Sequence, residues 1–202
     1  MRVFITGTDT DVGKTVASAW TMVHTDARYW KPVQAGLDQT DEATVRALSE
    51  AEDARFIATA YSLPEPLSPH ESARRAGVHI DPASLAVPEH GPLIVEGAGG
   101  LMVPLNDEFL IIDLIQQFGL PAILVCRTTL GTINHSLLSI AALRARDIPI
   151  AGVILCGPDI PHNRAAIETY GNVTVLAHIP PLDPLTRTAL EAVTPEVDLK
   201  AL

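Results

Sequence analysis

Short runs of aliphatic and β-branched residues recur along the chain, spaced widely enough for a helix between most neighbours. Val3-Phe4-Ile5, Leu93-Ile94-Val95, Ala122-Ile123-Leu124-Val125, Gly152-Val153-Ile154-Leu155 and Val173-Thr174-Val175-Leu176 have the length and composition of strands buried on both faces. Tyr29-Trp30-Lys31-Pro32-Val33 reads as a further strand whose regular pairing ends at Pro32, which has no N–H to donate. Helical patterns fall at 14–24, 41–52, 109–118, 134–146, 161–170 and 184–193. Gly119 and Gly171 read as residues just past helix ends, and Asp183-Pro184 as an N-cap followed by the first helical residue. Strand–helix alternation predicts an α/β fold, a three-layer α/β/α domain with a mainly parallel central sheet. The stretch 61–92 breaks the pattern with Pro-Glu-Pro, Ser-Pro-His and Val-Pro-Glu. A substrate-covering loop is preferred there to a linker, because the segments on either side are too small and interdependent to stand alone.

The chain of 202 residues suits one such domain over 1–202. Hydrophobic residues make up 47% and aromatics only 4%, so the core must be built from Val, Ile, Leu and Ala. Fourteen basic against 24 acidic residues leave a net charge of −10, which argues against a nucleic-acid partner, since that surface needs a basic stripe. The same balance is compatible with ATP, because backbone N–H groups and one or two lysines can hold phosphates locally. Cys126 and Cys156 lie in separate apolar runs and read as reduced core thiols. No signal-like segment opens the sequence, and no apolar run reaches the ~18 residues of a membrane span, so a cytoplasmic protein is expected.

The strongest chemical signal is Gly7-Thr8-Asp9-Thr10-Asp11-Val12-Gly13-Lys14-Thr15, directly after the first strand and opening a helix. Gly7 permits a sharp exit from the strand, and Gly13 lets backbone approach phosphates closely. Successive N–H groups then face one concavity at a helix N-terminus. Lys14 can neutralise β- and γ-phosphates, and the Thr15 hydroxyl can ligate Mg2+. Five residues separate the glycines where the common pattern has four. A glycine-bounded turn with an incidental Lys-Thr is the bland alternative, and the strand–loop–helix context argues against it.

Other charged residues fall where open α/β sheets gather ligands, outside the carboxyl ends of the strands. Glu96 ends the run Leu93–Val95 ahead of Gly97-Ala98-Gly99-Gly100 and suits a second Mg2+ contact, in preference to a solvated Glu before a flexible turn. Lys31 ends the second strand and would project into the same mouth beside Lys14, although most lysines are simply solvated. Two ammonium groups around a transferring phosphoryl group make sense, because that chemistry is catalysed by positioning and charge neutralisation. Asp41 opens a helix, where it is either a further metal ligand or a favourable partner of the macrodipole. Thr132-Ile133-Asn134-His135 begins another helix whose free N–H groups can receive a carboxylate. Capping by Thr132 or Asn134 is the simpler account of that turn, and a structural role the simpler one for His135.

Together these motifs resemble the dethiobiotin synthetase family. The resemblance is carried by residues 7–15, Lys31-Pro32-Val33, Ser68-Pro69-His70, Val95 through Gly100 and Leu130-Gly131-Thr132-Ile133-Asn134-His135, in the family's order and over most of the chain. The longer glycine spacing is itself a family feature. The resemblance implies a P-loop NTPase-type fold and the conversion of 7,8-diaminononanoate, CO2 and ATP to dethiobiotin, ADP and phosphate, through a carbamate and its mixed anhydride with phosphate. Thr10, Asp11, Val12, Gly13, Lys14, Thr15 and Val16 would bind the ATP phosphates, with Gly97, Ala98 and Gly99 beside them. Lys31 and Lys14 would be catalytic, and Thr15, Asp41 and Glu96 would hold Mg2+. Ala35, Gly100 and the turn Leu130 to Asn134 would contact the diamine, the turn reaching in from the partner of a homodimer. No Ser-His-Asp or Cys-His arrangement is required, because the nucleophiles belong to the substrate.

The sequence departs from the family at three places. Ala35 stands where relatives commonly carry Ser or Thr. Cys156-Gly157 replaces the Asn-Asp that often reads adenine, and Ile179-Pro180-Pro181 matches only the start of the usual base-flanking segment. The competing readings are another P-loop ATPase or amide ligase, including partitioning-type ATPases, and a non-catalytic nucleotide-sensing module. Partitioning-type ATPases often carry a second lysine early in the loop, and Thr8 to Val12 has none. A sensing module would not require Lys31, Glu96 and the turn at 130–135.

Overall fold

Seven parallel strands form one sheet in the computed structural model, which describes residues 1–202. In chain order the elements are β1 (Arg2–Gly7), α1 (Lys14–His24), β2 (Arg28–Trp30), β3 (Val33–Ala35), α2 (Asp41–Ser49), β4 (Phe56–Ile57), β5 (Tyr61–Leu63) and α3 (Pro69–Ala76). There follow β6 (Leu93–Gly100), α4 (Ile111–Phe118), β7 (Ala122–Arg127), α5 (Thr132–Ala145), β8 (Ile150–Cys156), α6 (Pro161–Gly171), β9 (Val175–Ile179) and α7 (Arg187–Glu191). The sheet runs β4-β2-β6-β1-β7-β8-β9, while β3 and β5 pair in a small parallel sheet of their own. From β1 the chain first builds β2 on one side, and after β6 it crosses to β7 on the other. The loop after β1 therefore sits where the winding reverses, the usual ligand crevice of an open α/β sheet.

Alternation along the strands divides the core into layers. Val3 and Ile5 of β1, Ile94 of β6 and Ile123 and Val125 of β7 pack with Trp20 of α1, Val45 of α2 and Leu190 of α7. Phe4, Leu93 and Val95 face the opposite side, with Ile111, Ile112 and Ile115 of α4. Leu124, Cys126 and Val153 continue that second side under α5 and α6. Helices thus cover both faces, as the strand–helix alternation predicts. Trp20 is fully buried and its indole N–H donates to the Val193 carbonyl at 2.7 Å. Trp20→Ala is expected to lower unfolding free energy by about 3–5 kcal/mol, read from urea unfolding, because it leaves both a void and an unpaired carbonyl.

Several elements differ from the pattern-based expectation. The helix read over 41–52 stops at Ser49, because Glu50 turns left-handed (φ 48°) and its N–H bonds back to Arg46. Asn172, not Gly171, takes the left-handed position after α6, and Gly171 remains the last helical residue. The helix read over 184–193 begins at Arg187: Thr186 caps it by accepting from the Ala189 N–H, and the Asp183–Pro184 peptide, which is cis, precedes it. The last sheet strand starts at Val175, not Val173. Residues 97–100, which lie beyond the strand read at Leu93–Val95, continue β6, with Gly100 in register with Gly7. Lys31-Pro32 does interrupt the second strand, but its continuation, β3, pairs with β5 in the small sheet. The 61–92 stretch carries β5, α3 and a 3-10 turn at Pro82–Ser84, so it is more built than a covering loop, although Pro66 to Pro69 do border the main cavity.

Candidate functional site

The phosphate loop leaves β1 with the Thr8 N–H donating to Val125 of β7 and the Thr10 N–H to its neighbour's Asp9 carboxylate. Asp11 (φ 55°) and Gly13 (φ 98°) take left-handed conformations that fold the loop round on itself. A Cβ at position 13 would lie 2.8 Å from the Cys156 sulfur, so this position accepts no side chain without movement. Lys14 opens α1, is buried, and bridges the loop by donating to the Asp9 carbonyl at 2.8 Å. The first N–H groups of α1 have no acceptor within the helix and face the same mouth. Burial, followed by the nearby Lys31 ammonium, lowers the Lys14 pKa from its ordinary value.

Beside this loop lies a buried charge cluster drawn from four elements. Lys31, held between β2 and β3, places its ammonium 2.6 Å from Asp41 Oδ2 and 3.2 Å from Glu96 Oε1, and donates to the Gly97 carbonyl at 2.8 Å. Burial works against the Lys31 charge, but Glu96 and Asp41 outweigh it and raise its pKa. Burial likewise opposes the Asp41 charge, and the Lys31 ammonium with hydrogen bonds from Lys31 and Thr15 overrides it, so the Asp41 pKa is lowered. Asp41 is the first residue of α2, whose cap is Thr40, and its N–H donates to the Gln34 side-chain carbonyl. Glu96 is fully buried, on the α1 side of β6, which rules out the solvated-Glu alternative. Its Oε1 accepts from the Thr15 hydroxyl at 3.2 Å, and its Oε2 from Ser18 at 2.6 Å and Tyr29 at 3.0 Å. Burial, then the Glu96 charge, raises the Tyr29 phenol well above its ordinary value, so it remains a donor.

The Thr15 hydroxyl also lies 2.8 Å from Asp41 Oδ1, so its one hydrogen is shared between the two carboxylates. Neighbouring ligand oxygens around an octahedral magnesium ion with ~2.1 Å bonds are about 3.0 Å apart. The Thr15–Asp41 and Thr15–Glu96 separations of 2.8 and 3.2 Å are each close to that edge length, so each pair of oxygens fits one edge of such an ion.

A cavity of about 740 Å3 opens above the cluster. Thr10, Asp11, Gly13, Lys14, Thr15 and Val16 line its loop side; Lys31, Gln34, Ala35 and Asp41 form the opposite wall, and Ala98 and Gly99 the floor. Glu96 lies beneath this surface rather than on it. Val12 is packed in the core under the loop, and Gly97 contributes its carbonyl to Lys31. Gly100 backs onto the loop, where a Cβ would sit 3.4 Å from the Gly7 carbonyl. A smaller cavity of about 190 Å3 adjoins at Gly13 and Val16 and is walled by Cys156, Gly157, Ile179, Pro180 and Pro181. The turn Leu130 to Asn134 borders neither cavity. Gly131 (φ 94°) occupies the N-cap of α5, and the Thr132 hydroxyl donates to the Arg127 carbonyl, so the simple capping reading of this turn does not hold. Both thiols are free, and burial pushes the pKa of each up to about 12, in keeping with inert cysteines.

A family model described as an AAA domain matches residues 1–189. The chain is 50% identical to the ATP-dependent dethiobiotin synthetase BioD of Paramagnetospirillum magneticum, over 96% of this chain and 94% of that protein. It is also 50% identical to the ATP-dependent dethiobiotin synthetase BioD of Afipia carboxidovorans, over 95% and 92%. The chain belongs to the dethiobiotin synthetase family. Among solved structures, the septum site-determining protein MinD of Pyrococcus horikoshii, complexed with Mg-ADP, superposes with a TM-score of 0.55 at 16% identity, covering 95% of this chain and 86% of that one. That likeness establishes a shared fold, helices on both faces of a parallel sheet.

Three residues of this dethiobiotin synthetase family member's site carry no motif of their own. Tyr29 of β2 lies two positions before Lys31, which directly follows that strand, and Ser18 three after Thr15 on one helix. Those periods put each on the face of its functional neighbour, which is the signal that finds them. Gln34 follows Lys31-Pro32-Val33 and reaches Asp41 across the start of α2; nothing in its local sequence marks it.

Proposed function

We propose that the protein is an ATP-dependent dethiobiotin synthetase, a cyclo-ligase of biotin biosynthesis that forms C–N bonds from 7,8-diaminononanoate, CO2 and ATP. The observation that carries the reading is the Lys31–Asp41–Glu96–Thr15 cluster at the mouth of the phosphate loop, with Lys31, Asp41 and Thr15 lining one large cavity and Glu96 buried behind them. One substrate amine takes up CO2 and loses a proton, giving a carbamate. A carbamate oxygen then attacks the γ-phosphorus while the bond to ADP breaks. The second amine attacks the carbamoyl carbon of the resulting anhydride, phosphate leaves with the C–O bonding pair, and the cyclic urea closes with loss of protons.

The protein supplies position and positive charge to anionic oxygens, not a nucleophile. Lys14 neutralises the terminal phosphates from the loop side. Lys31 faces the same space from the opposite wall, where it holds the carbamate oxygen and the transferring phosphoryl group together. Thr15, Asp41 and Glu96 would hold Mg2+, which when bound supplies Lewis-acid charge to the ATP phosphates. Thr10 to Val16, with Ala98 and Gly99, cradle the triphosphate, and the base enters the adjoining cavity of Cys156, Ile179, Pro180 and Pro181. Ala35 and Gly100 flank the diamine.

The turn Leu130 to Asn134 receives the diamine carboxylate across a homodimer interface, with Gly131 and Ile133 offering N–H groups. Leu130 is 99% exposed and Leu138 61%, apolar surface that a second subunit would cover. No helix is long and apolar enough to cross a membrane, in keeping with work in the cytoplasm.

Incubation with diaminononanoate, bicarbonate and Mg-ATP, followed by mass detection, is expected to yield the cyclic urea and phosphate in step with ADP. ATP hydrolysis indifferent to the diamine, with no cyclic urea, would overturn the assignment in favour of another P-loop ATPase or a sensing module.

A further inference from the structure

We infer that Tyr29 and Ser18 are positioning residues for the divalent cation, acting through Glu96; the inference rests on the proposed Mg-nucleotide chemistry of this site. The carboxylate of Glu96 is divided between two environments. Oε2 points into the protein and accepts from Ser18 Oγ at 2.6 Å and Tyr29 Oη at 3.0 Å. Oε1 is turned the other way, toward the Thr15 hydroxyl and the Lys31 ammonium, each at 3.2 Å, and through Thr15 toward Asp41. Tyr29, Ser18 and Glu96 are all fully buried, so no water competes for these bonds.

A carboxylate gripped on one oxygen by two hydroxyls from different elements, β2 and α1, cannot rotate about its terminal torsion. The grip fixes Oε1 between the Lys31 ammonium and Thr15, at a distance from Thr15 close to that between neighbouring ligands of an octahedral ion. Magnesium tolerates little departure from that geometry, and groups behind metal ligands typically contribute 10–100-fold in metal affinity. The Tyr29 ring is itself fixed by an edge contact with Phe56, with ring centroids 6.0 Å apart, and Ser18 is locked on the helix that begins with Lys14 and Thr15. Loop, helix and strand thus set the cation site before any ligand arrives. If these hydroxyls served only to satisfy a buried charge, their removal would weaken the fold without a selective effect on magnesium.

The test is calorimetric binding of a non-hydrolysable ATP analogue to the intact protein, in EDTA and across a Mg2+ titration. Tyr29→Phe and Ser18→Ala are each expected to raise the Mg2+ concentration at half-effect about 10-fold, while affinity for the analogue in EDTA stays unchanged. Thr21→Ala, one turn along α1 from Ser18 and bonded only to the Ala17 carbonyl, is the matched control and is expected to leave both unchanged. Should Tyr29→Phe not fold, Ser18→Ala decides alone. An unaltered Mg2+ dependence in the folded variants would overturn the inference, as would an equal loss of analogue affinity with and without metal. A wild-type protein whose analogue binding ignores Mg2+ would instead count against the function proposed above.

Discussion

Lys31→Met is expected to reduce dethiobiotin formation by about 10²–10³-fold in kcat or more, and to destabilise the fold at the same time. The two losses have separate origins. Removing the ammonium strips charge from the reacting oxygens, and it also leaves Glu96, which water does not reach, without its cation. Breaking a buried pair from one side typically costs about 3–5 kcal/mol, and the lower end applies here because Ser18, Tyr29 and Thr15 still hydrogen-bond Glu96. Lys31→Met with Glu96→Gln removes both charges and is expected to recover most of the stability but none of the turnover. Urea unfolding and a product assay read the two effects independently. Near-normal product formation by Lys31→Met would remove the residue from the chemistry.

The pH dependence of the stability that Lys31 and Asp41 contribute follows from the directions of the shifts. Asp41 is held below its ordinary value near 3.8, so its contribution is complete above that pH and fades as pH falls through the lower folded value. Lys31 is raised above its ordinary value near 10.5, so its contribution is complete below that pH and fades as pH rises through the higher one. The contribution of the Lys31–Asp41 pair to wild-type stability is therefore expected to stay constant between roughly pH 5 and pH 9.

Legibility in the sequence tracked how local each feature is. The phosphate loop and α1 were readable because nine consecutive residues carry the strand exit, the nest and the helix start. Lys31 and Glu96 were readable as charged residues at strand ends, and their shared destination followed from the open-sheet rule. What bonds them was not, since Lys31 to Glu96 and Tyr29 to Glu96 join residues 65 and 67 positions apart. The run of β6 through Gly97 to Gly100 was not legible, because Gly-Ala-Gly-Gly carries no apolar strand pattern; bare backbone is what lets Phe4 pack at Gly97, where a Cβ would lie 2.8 Å from its ring. The 61–92 stretch misled for a related reason. Its prolines break local periodicity, yet Pro69 is the first residue of α3 and Ser72 ties the helix to the Glu65 backbone.

Gly13→Ala carries the other large expected effect, and it separates backbone geometry from side-chain chemistry. At φ 98° an alanine pays an intrinsic conformational penalty of about 1–2 kcal/mol. Its methyl would also stand 2.8 Å from the sulfur and 2.9 Å from the Cβ of Cys156, an overpacking that typically costs about 1–3 kcal/mol. Together these give about 2–5 kcal/mol, divided between stability and nucleotide affinity according to how far the loop yields. A loop that shifts to relieve the clash pulls its N–H groups off the phosphates, so the loss appears as about 30-fold or greater weakening of nucleotide binding; one that holds its shape loses stability instead. Cys156→Ala is not expected to rescue the variant, since the Cβ at position 156 and the positive φ at position 13 both remain. Calorimetric nucleotide binding and urea unfolding of the same preparation measure the two shares, and a sum below about 0.5 kcal/mol would show that the loop is not constrained at this glycine.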